Sequence, residues 1–162
     1  MRKVAIIMGS DSDLHIAEKA VAVLKDFSVP YEVHVMSAHR TPDEVHAFAS
    51  SARENGFAAI IAIAGKAAHL GGVIASYTTL PVITIPGSGG ALKGFESLLS
   101  SVEMPPGIPV ASVGIDAGQN AALLALSMIS IEDGSIAGKL DGYRRNMREK
   151  ILKKDSDISG RL

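Results

Sequence analysis

With 162 residues, 47% hydrophobic and 20% charged, the chain is long enough for one compact domain and too short for two of ordinary size. That composition excludes disorder over most of its length, and the absence of cysteine removes disulfide scaffolds, thiolate zinc sites and cysteine nucleophiles together. The 16 Lys and Arg against 17 Asp and Glu leave a formal net charge of −1, which excludes a strongly basic nucleic-acid platform.

Met1-Arg2-Lys3 leads into only five apolar residues before Gly9, too few for the apolar region of a signal peptide. No stretch approaches the ~18 apolar residues of a membrane span, so a cytoplasmic protein with no membrane partner is expected. Val4–Met8 is a short, continuous apolar run ended by Gly9, which suits a strand buried on both faces. Ile16, Ala20, Leu24 and Phe27 then recur at helical spacing, and Pro30 closes that element. Tyr31–Met36 reads as a second strand. Thr41-Pro42-Asp43-Glu44 opens a helix, with proline near its first position and acids in its first turn, and Asn55-Gly56 ends it.

Ala58–Ala64, Val82–Ile85 and Val110–Val113 read as three further strands, with helical patterns near 67–77 and 92–102 between them. Two more helices follow, over Asn120–Ile131 and Ser135–Lys153. The first has hardly a polar face, and in so small a domain a partner subunit is its expected cover. The second carries a charge excess: residues 139–154 hold seven bases and two acids, leaving nine bases against 15 acids elsewhere. Only Tyr143 interrupts those bases with an aromatic ring, so the run reads as a solvated helix face, not as a nucleic-acid surface.

Apolar strands alternating with helices specify an α/β three-layer sandwich around a parallel sheet. Five strands in one small domain predict the flavodoxin-like order 2-1-3-4-5, with a C-terminal helix. Residues 1–154 form a single nucleotide-binding catalytic domain in this reading, and 155–162 a short frayed tail.

In open α/β sheets ligands bind beyond the carboxyl ends of the strands, where the strand order switches. Three such ends carry unusual polar sequences. Gly9-Ser10-Asp11-Ser12-Asp13 offers hydroxyls and free amides for phosphate, with Asp13 suited to a ribose hydroxyl. The same serines serve equally as helix caps with no ligand. Ser37-Ala38-His39-Arg40 sets a guanidinium fork and a neutral donor beside an imidazole able to exchange protons near neutral pH. Alternatively, His39 caps the next helix and Arg40 is a surface charge. After the third strand, Gly65-Lys66-Ala67-Ala68-His69-Leu70-Gly71-Gly72 combines small residues against which a flat ligand can lie with His69, a donor to the ligand or a structural histidine.

Gly87-Ser88-Gly89-Gly90 reads as a turn at the edge of the site. His15, His34 and His46 are scattered and show no metal-binding spacing. Since strands one, two and three are neighbours in a 2-1-3 arrangement, the three polar loops converge. They form a site for a ribonucleotide monophosphate whose base reacts.

At these residues the chain resembles the N5-carboxyaminoimidazole ribonucleotide mutase family of purine biosynthesis, the catalytic subunit of phosphoribosylaminoimidazole carboxylase. The resemblance covers roughly residues 3–150, through MGSDSD at 8–13, SAHRTP at 37–42, AAHL at 67–70, SLLSSVEMPPGIPVASV at 97–113 and NAALLA at 120–125. It implies an octameric isomerase needing no metal, ATP or other cofactor. The carboxylate moves from the exocyclic nitrogen to C4 of the aminoimidazole through carbon dioxide trapped in the pocket. It further implies His39 as the proton-transfer residue, Ser10, Asp13 and Arg40 as substrate binders, and Ser37, Gly65, His69 and Leu70 around the base and carboxylate.

Where the family reads AGGAAHLPG, this chain has Lys66 for a glycine and Gly71 for the proline. Lys66 either holds a carboxylate or points away to pair with an acid of a neighbouring subunit. A basic residue there also resembles the related class that carboxylates aminoimidazole ribonucleotide directly. Direct carboxylation is therefore the alternative reaction, and a non-catalytic nucleotide-binding module the third reading. The latter lacks the aspartate that a phospho-acceptor module needs at the end of strand three, where Ala64-Gly65 stands.

Overall fold

A computed structural model of the chain describes residues 2–160, which divide into two compact units meeting between Ala125 and Leu126. The first unit holds a five-stranded parallel sheet in the order β2-β1-β3-β4-β5. Its strands are β1 (Lys3–Met8), β2 (Tyr31–Val35), β3 (Phe57–Gly65), β4 (Val82–Gly87) and β5 (Ala111–Ser112). Between them run α1 (Leu14–Asp26), α2 (Pro42–Ser51), α3 (Leu70–Tyr77) and α4 (Phe95–Val102). This is the strand order and layering expected from the alternation of apolar runs and helical patterns.

β1, β3 and β4 are apolar without alternation because helices cover both of their faces. Ala5 and Ile7 of β1 point to the same core as Val45 and Ala49 of α2 and Leu70 and Ile74 of α3. Val4 and Ile6 point the opposite way, as strand geometry requires, and are equally buried. On that second side Ile16, Ala20 and Leu24 of α1 are buried at the predicted spacing.

Two glycines let helices close in. α5 (Gly118–Ile129) starts against α1, where a Cβ on Gly118 would stand 2.2 Å from the Ile16 carbonyl oxygen. A Cβ on Gly71 would meet the Thr84 Cγ2 methyl at 2.1 Å, and the buried Thr84 is held in place as its Oγ1 donates to the Ala111 carbonyl at 3.4 Å.

Several boundaries differ from expectation, most at β5 and α2. β5 pairs through only two residues, 111 and 112, because Pro109 has no N–H to extend the ladder. α2 stops at Ser51, and the chain turns through residues 52–56 with Gly56 at φ +81° before β3 begins. In α5, Ala121, Ala122 and Ala125 are fully buried, while Leu123 and Leu124 are half-buried.

The second unit consists of the end of α5 and α6 (Gly134–Ser159). Asp133 caps α6: its Oδ1 accepts from the Ser135 and Ile136 amides at 3.0 and 3.3 Å. Every residue from Arg144 to Gly160 is exposed, as a solvated face requires. Where fraying was expected from 155, the backbone stays helical through Ser159, since residues 143–159 contain no glycine or proline. Residues 161 and 162 of that expected tail lie outside the described residues.

Candidate active site

Parallel strands all deliver their carboxyl ends to one edge of the sheet, and that edge carries a cavity of about 540 Å³. This is ample for a mononucleotide-sized ligand. It is lined by Gly9, Ser10, Ser12 and Asp13 after β1, residues 37–40 after β2, Ala64–Ala67 and Leu70 around the end of β3, and Gly89 after β4. The three loops therefore do converge, and seven of the expected binding residues line one wall or another together with His39.

Each loop is fixed by its own short-range bonds. After β1, Ser10 begins a short 3₁₀ turn, Asp11–Asp13, and its Oγ accepts weakly from the Ser12 amide at 3.4 Å. Ser10 thus caps a helix and faces the cavity at once, so the two readings of this segment are not exclusive. After β2, the Ser37 Oγ accepts from the amides of His39 and Arg40 at 3.4 and 3.2 Å, winding 37–41 into a tight turn. The Thr41 hydroxyl locks that turn from behind by accepting from the Ser37 amide at 2.8 Å. Arg40 then reaches across to the β1 loop, its Nη2 donating to the Gly9 carbonyl at 2.9 Å and its Nε to Ser37 Oγ at 3.4 Å. With one edge so held, the guanidinium is a preoriented fork for an anion.

His39 sits where the β2 and β3 loops meet. Its Nε2 lies 2.9 Å from the Nδ1 of His69, with the rings nearly edge to face at 70° and their centroids 5.0 Å apart. One of these nitrogens carries the proton and the other accepts it, so the pair fixes a tautomer on each ring. His69 is the expected site residue that does not line the cavity: it precedes the first turn of α3 and addresses His39 instead. An imidazole held in orientation by a second group is the arrangement general acid–base chemistry needs.

Asp13 is the buried acid of the site, 9% exposed. Burial pushes its carboxyl above the ordinary value, Asp116 adds to the rise, and nearby His15 opposes it. A carboxyl that ionises less readily in the fold contributes stability fully below about pH 4, and this is lost as pH rises through the elevated folded value. Replacing Asp13 with Asn is therefore expected to raise the Tm at pH 7, with the gain over wild type shrinking as pH falls below 4. The same change weakens a ligand whose hydroxyls donate to this carboxylate by about tenfold. Thermal melts across pH 3–8 and a binding titration check both parts.

The remaining histidines stand apart from the cavity. His34 meets Glu32 and the Phe48 ring, His46 packs at a tilt against the Tyr77 ring, and His15 contacts the Ser12 carbonyl. Among the described residues no group of three or more His, Asp or Glu could hold a metal ion. Sequence reasoning missed Ser100 of α4. Its Oγ accepts from the Ala68 amide at 3.3 Å, donates to the Glu96 carbonyl of its own helix at 2.5 Å and lies 3.3 Å from the Lys66 carbonyl, and so ties the β3 loop to α4. A serine 34 residues downstream gives no local signal of that role.

This geometry has counterparts among known proteins. The model of the family described as AIR carboxylase matches residues 3–150. A Pyrococcus abyssi protein named N5-carboxyaminoimidazole ribonucleotide mutase is 57% identical over 91% of this chain and 85% of its own. A Methanocaldococcus jannaschii protein of the same name is 54% identical over 96% of both chains. The crystal structure of Treponema denticola PurE superposes with a TM-score of 0.87 at 33% identity, covering 95% of this chain and 96% of that one.

Proposed function

The chain belongs to the AIR carboxylase family, and from that premise we propose that it is an isomerase of purine biosynthesis. It converts N5-carboxyaminoimidazole ribonucleotide to 4-carboxy-5-aminoimidazole ribonucleotide. The relatives that match nearly its whole length carry the name of that mutase. The observation that carries the reading is the His39 imidazole, oriented by His69 and lining one cavity with Arg40, Gly65 and Ala67.

In this reading Arg40, Ser10 and Ser37 hold the phosphate, Asp13 accepts from the ribose hydroxyls, and the heterocycle lies along Gly65, Ala67 and Leu70. The N–C bond of the carbamate breaks and its electron pair returns to nitrogen. Protonated His39 supplies the proton that makes the free amine. Carbon dioxide stays in the pocket, C4 attacks it to form the new C–C bond, and His39, now neutral, removes the C4 proton. Atoms and charge balance with no outside reactant. Holding the gas beside C4 replaces a dilute encounter with an intramolecular one, and small apolar walls keep water from competing.

A second reading, direct carboxylation of aminoimidazole ribonucleotide by carbon dioxide, is supported by the description of the family and by a lysine at position 66. Two feeds separate them: N5-carboxylated substrate, or aminoimidazole ribonucleotide with bicarbonate. Consumption of the first at micromolar concentration with little use of the second supports the mutase, and the reverse overturns it. We also assign the enzyme to a homo-oligomer, octameric by the resemblance noted above. The exposed row Phe95, Leu99 and Val102 on α4 supports a subunit contact. No helix among the described residues is long and apolar enough to cross a membrane, consistent with a cytoplasmic site of action.

A further inference from the structure

We infer that Lys66 binds the migrating carboxylate, making this lysine the residue that distinguishes carboxylated from uncarboxylated nucleotide. The inference rests on the mutase reading and deepens it. Lys66 adopts φ +56°, a left-handed conformation that glycine takes freely and a lysine takes only at a cost. The strain sits between Gly65 and Ala67, and all three residues line the cavity. Ser100 accepts from the Ala68 amide and lies 3.3 Å from the Lys66 carbonyl, so the loop is held in this shape by main-chain contacts that any residue at 66 would make. The lysine side chain adds nothing to that support.

The Lys66 ammonium has no ion pair or hydrogen bond among the described residues. The charges around the cavity sharpen the assignment. Arg40 is tied to Gly9 and Ser37 at the β1–β2 side, and Asp13, the acid lining the site, belongs to the β1 loop. Lys66 comes from the β3 loop, between Gly65 and Ala67, along which the heterocycle lies in the proposed reading, and lines the same cavity as His39. A nucleotide monophosphate already has its anion anchors at the Arg40 side, so the cation at the heterocycle side answers a second negative charge. The substrate and product of the mutase both carry one there, on nitrogen and on C4 respectively. A lysine, with three rotatable donors on a flexible stem, can follow a carboxylate between those two positions as a fixed guanidinium cannot.

The test compares wild type with Lys66→Gly and Lys66→Arg in two measurements. One is the KM and kcat for decarboxylation of 4-carboxy-5-aminoimidazole ribonucleotide, and the other is the Kd for aminoimidazole ribonucleotide by calorimetry. Lys66→Gly is expected to raise the KM for the carboxylated nucleotide about 10- to 100-fold, the scale of one charge-assisted hydrogen bond, with no fall in kcat, because the charge that the lysine holds is lost as carbon dioxide forms. Its Kd for the uncarboxylated nucleotide stays within twofold, and its Tm is equal to or above that of wild type because the glycine relaxes φ. Lys66→Arg recovers part of the lost affinity.

Equal weakening of both nucleotides overturns the inference by placing Lys66 at the phosphate or ribose. Unchanged binding of both overturns it by turning the side chain away, toward an acid of a neighbouring subunit. Wild-type protein that binds neither nucleotide overturns the functional reading itself, so the two failures are distinct.

Discussion

Replacing His39 with Asn is expected to lower turnover at least about 1,000-fold while leaving the Kd for nucleotide within about threefold. The reaction moves one proton on and one proton off, and a positioned acid–base group is worth about 100- to 10,000-fold in rate. Asparagine keeps the polarity of the position and can still meet His69 Nδ1, now 2.9 Å from the imidazole, but it cannot exchange a proton. The β2 turn depends on the Ser37 Oγ and Thr41 hydroxyl, not on the imidazole, so its shape survives the change. Stopped-time product assays beside a calorimetric titration separate the two effects. Turnover within tenfold of wild type removes His39 from the proton path.

Arg40→Ala is expected to act on the other axis, raising KM about 100-fold while kcat changes less than fivefold. A guanidinium–phosphate contact is a charge-assisted pair worth about 1.5–3 kcal/mol, and the phosphate does not change during the reaction. Binding energy spent equally on ground and transition states appears in KM alone. The variant also loses the bond from Nη2 to the Gly9 carbonyl, the strut between the β1 and β2 loops. Arg40→Lys separates these contributions: it keeps a charge but not the fork, and an intermediate KM is expected. A fall in kcat equal to the fall in kcat/KM, at unchanged KM, would move Arg40 from anchor to transition-state role.

The sheet was readable in the sequence wherever burial on both faces forced continuous apolar runs, as in Val4–Met8 and Ala58–Ala64. It was less readable at β5, an edge strand where Pro109 and a single neighbour leave two paired residues. The site was legible because its residues cluster at strand ends: polar side chains directly after an apolar run have no packing reason to be there. Their roles toward one another were not legible. His69 and Leu70 are adjacent, yet Leu70 lines the cavity while His69 turns to the ring of His39. Only the start of α3 decides which residue faces which way. The strain at Lys66 was likewise invisible, since no composition or spacing rule reports a positive φ.

The contact between Gly71 and Thr84 carries a consequence for how this lineage can drift. The space that a side chain at 71 would need is filled by a methyl whose rotamer is held from the far side by the Ala111 carbonyl. A side chain at 71 cannot come first, because it would meet that methyl and push the start of α3, with His69 before it, away from the sheet. Thr84 must shrink to serine or alanine beforehand, in a chain where the smaller residue leaves a small void. The two positions are thus coupled in order as well as in identity. A methyl deep in β4 thus decides which substitutions beside the His39–His69 pair are reachable by single steps.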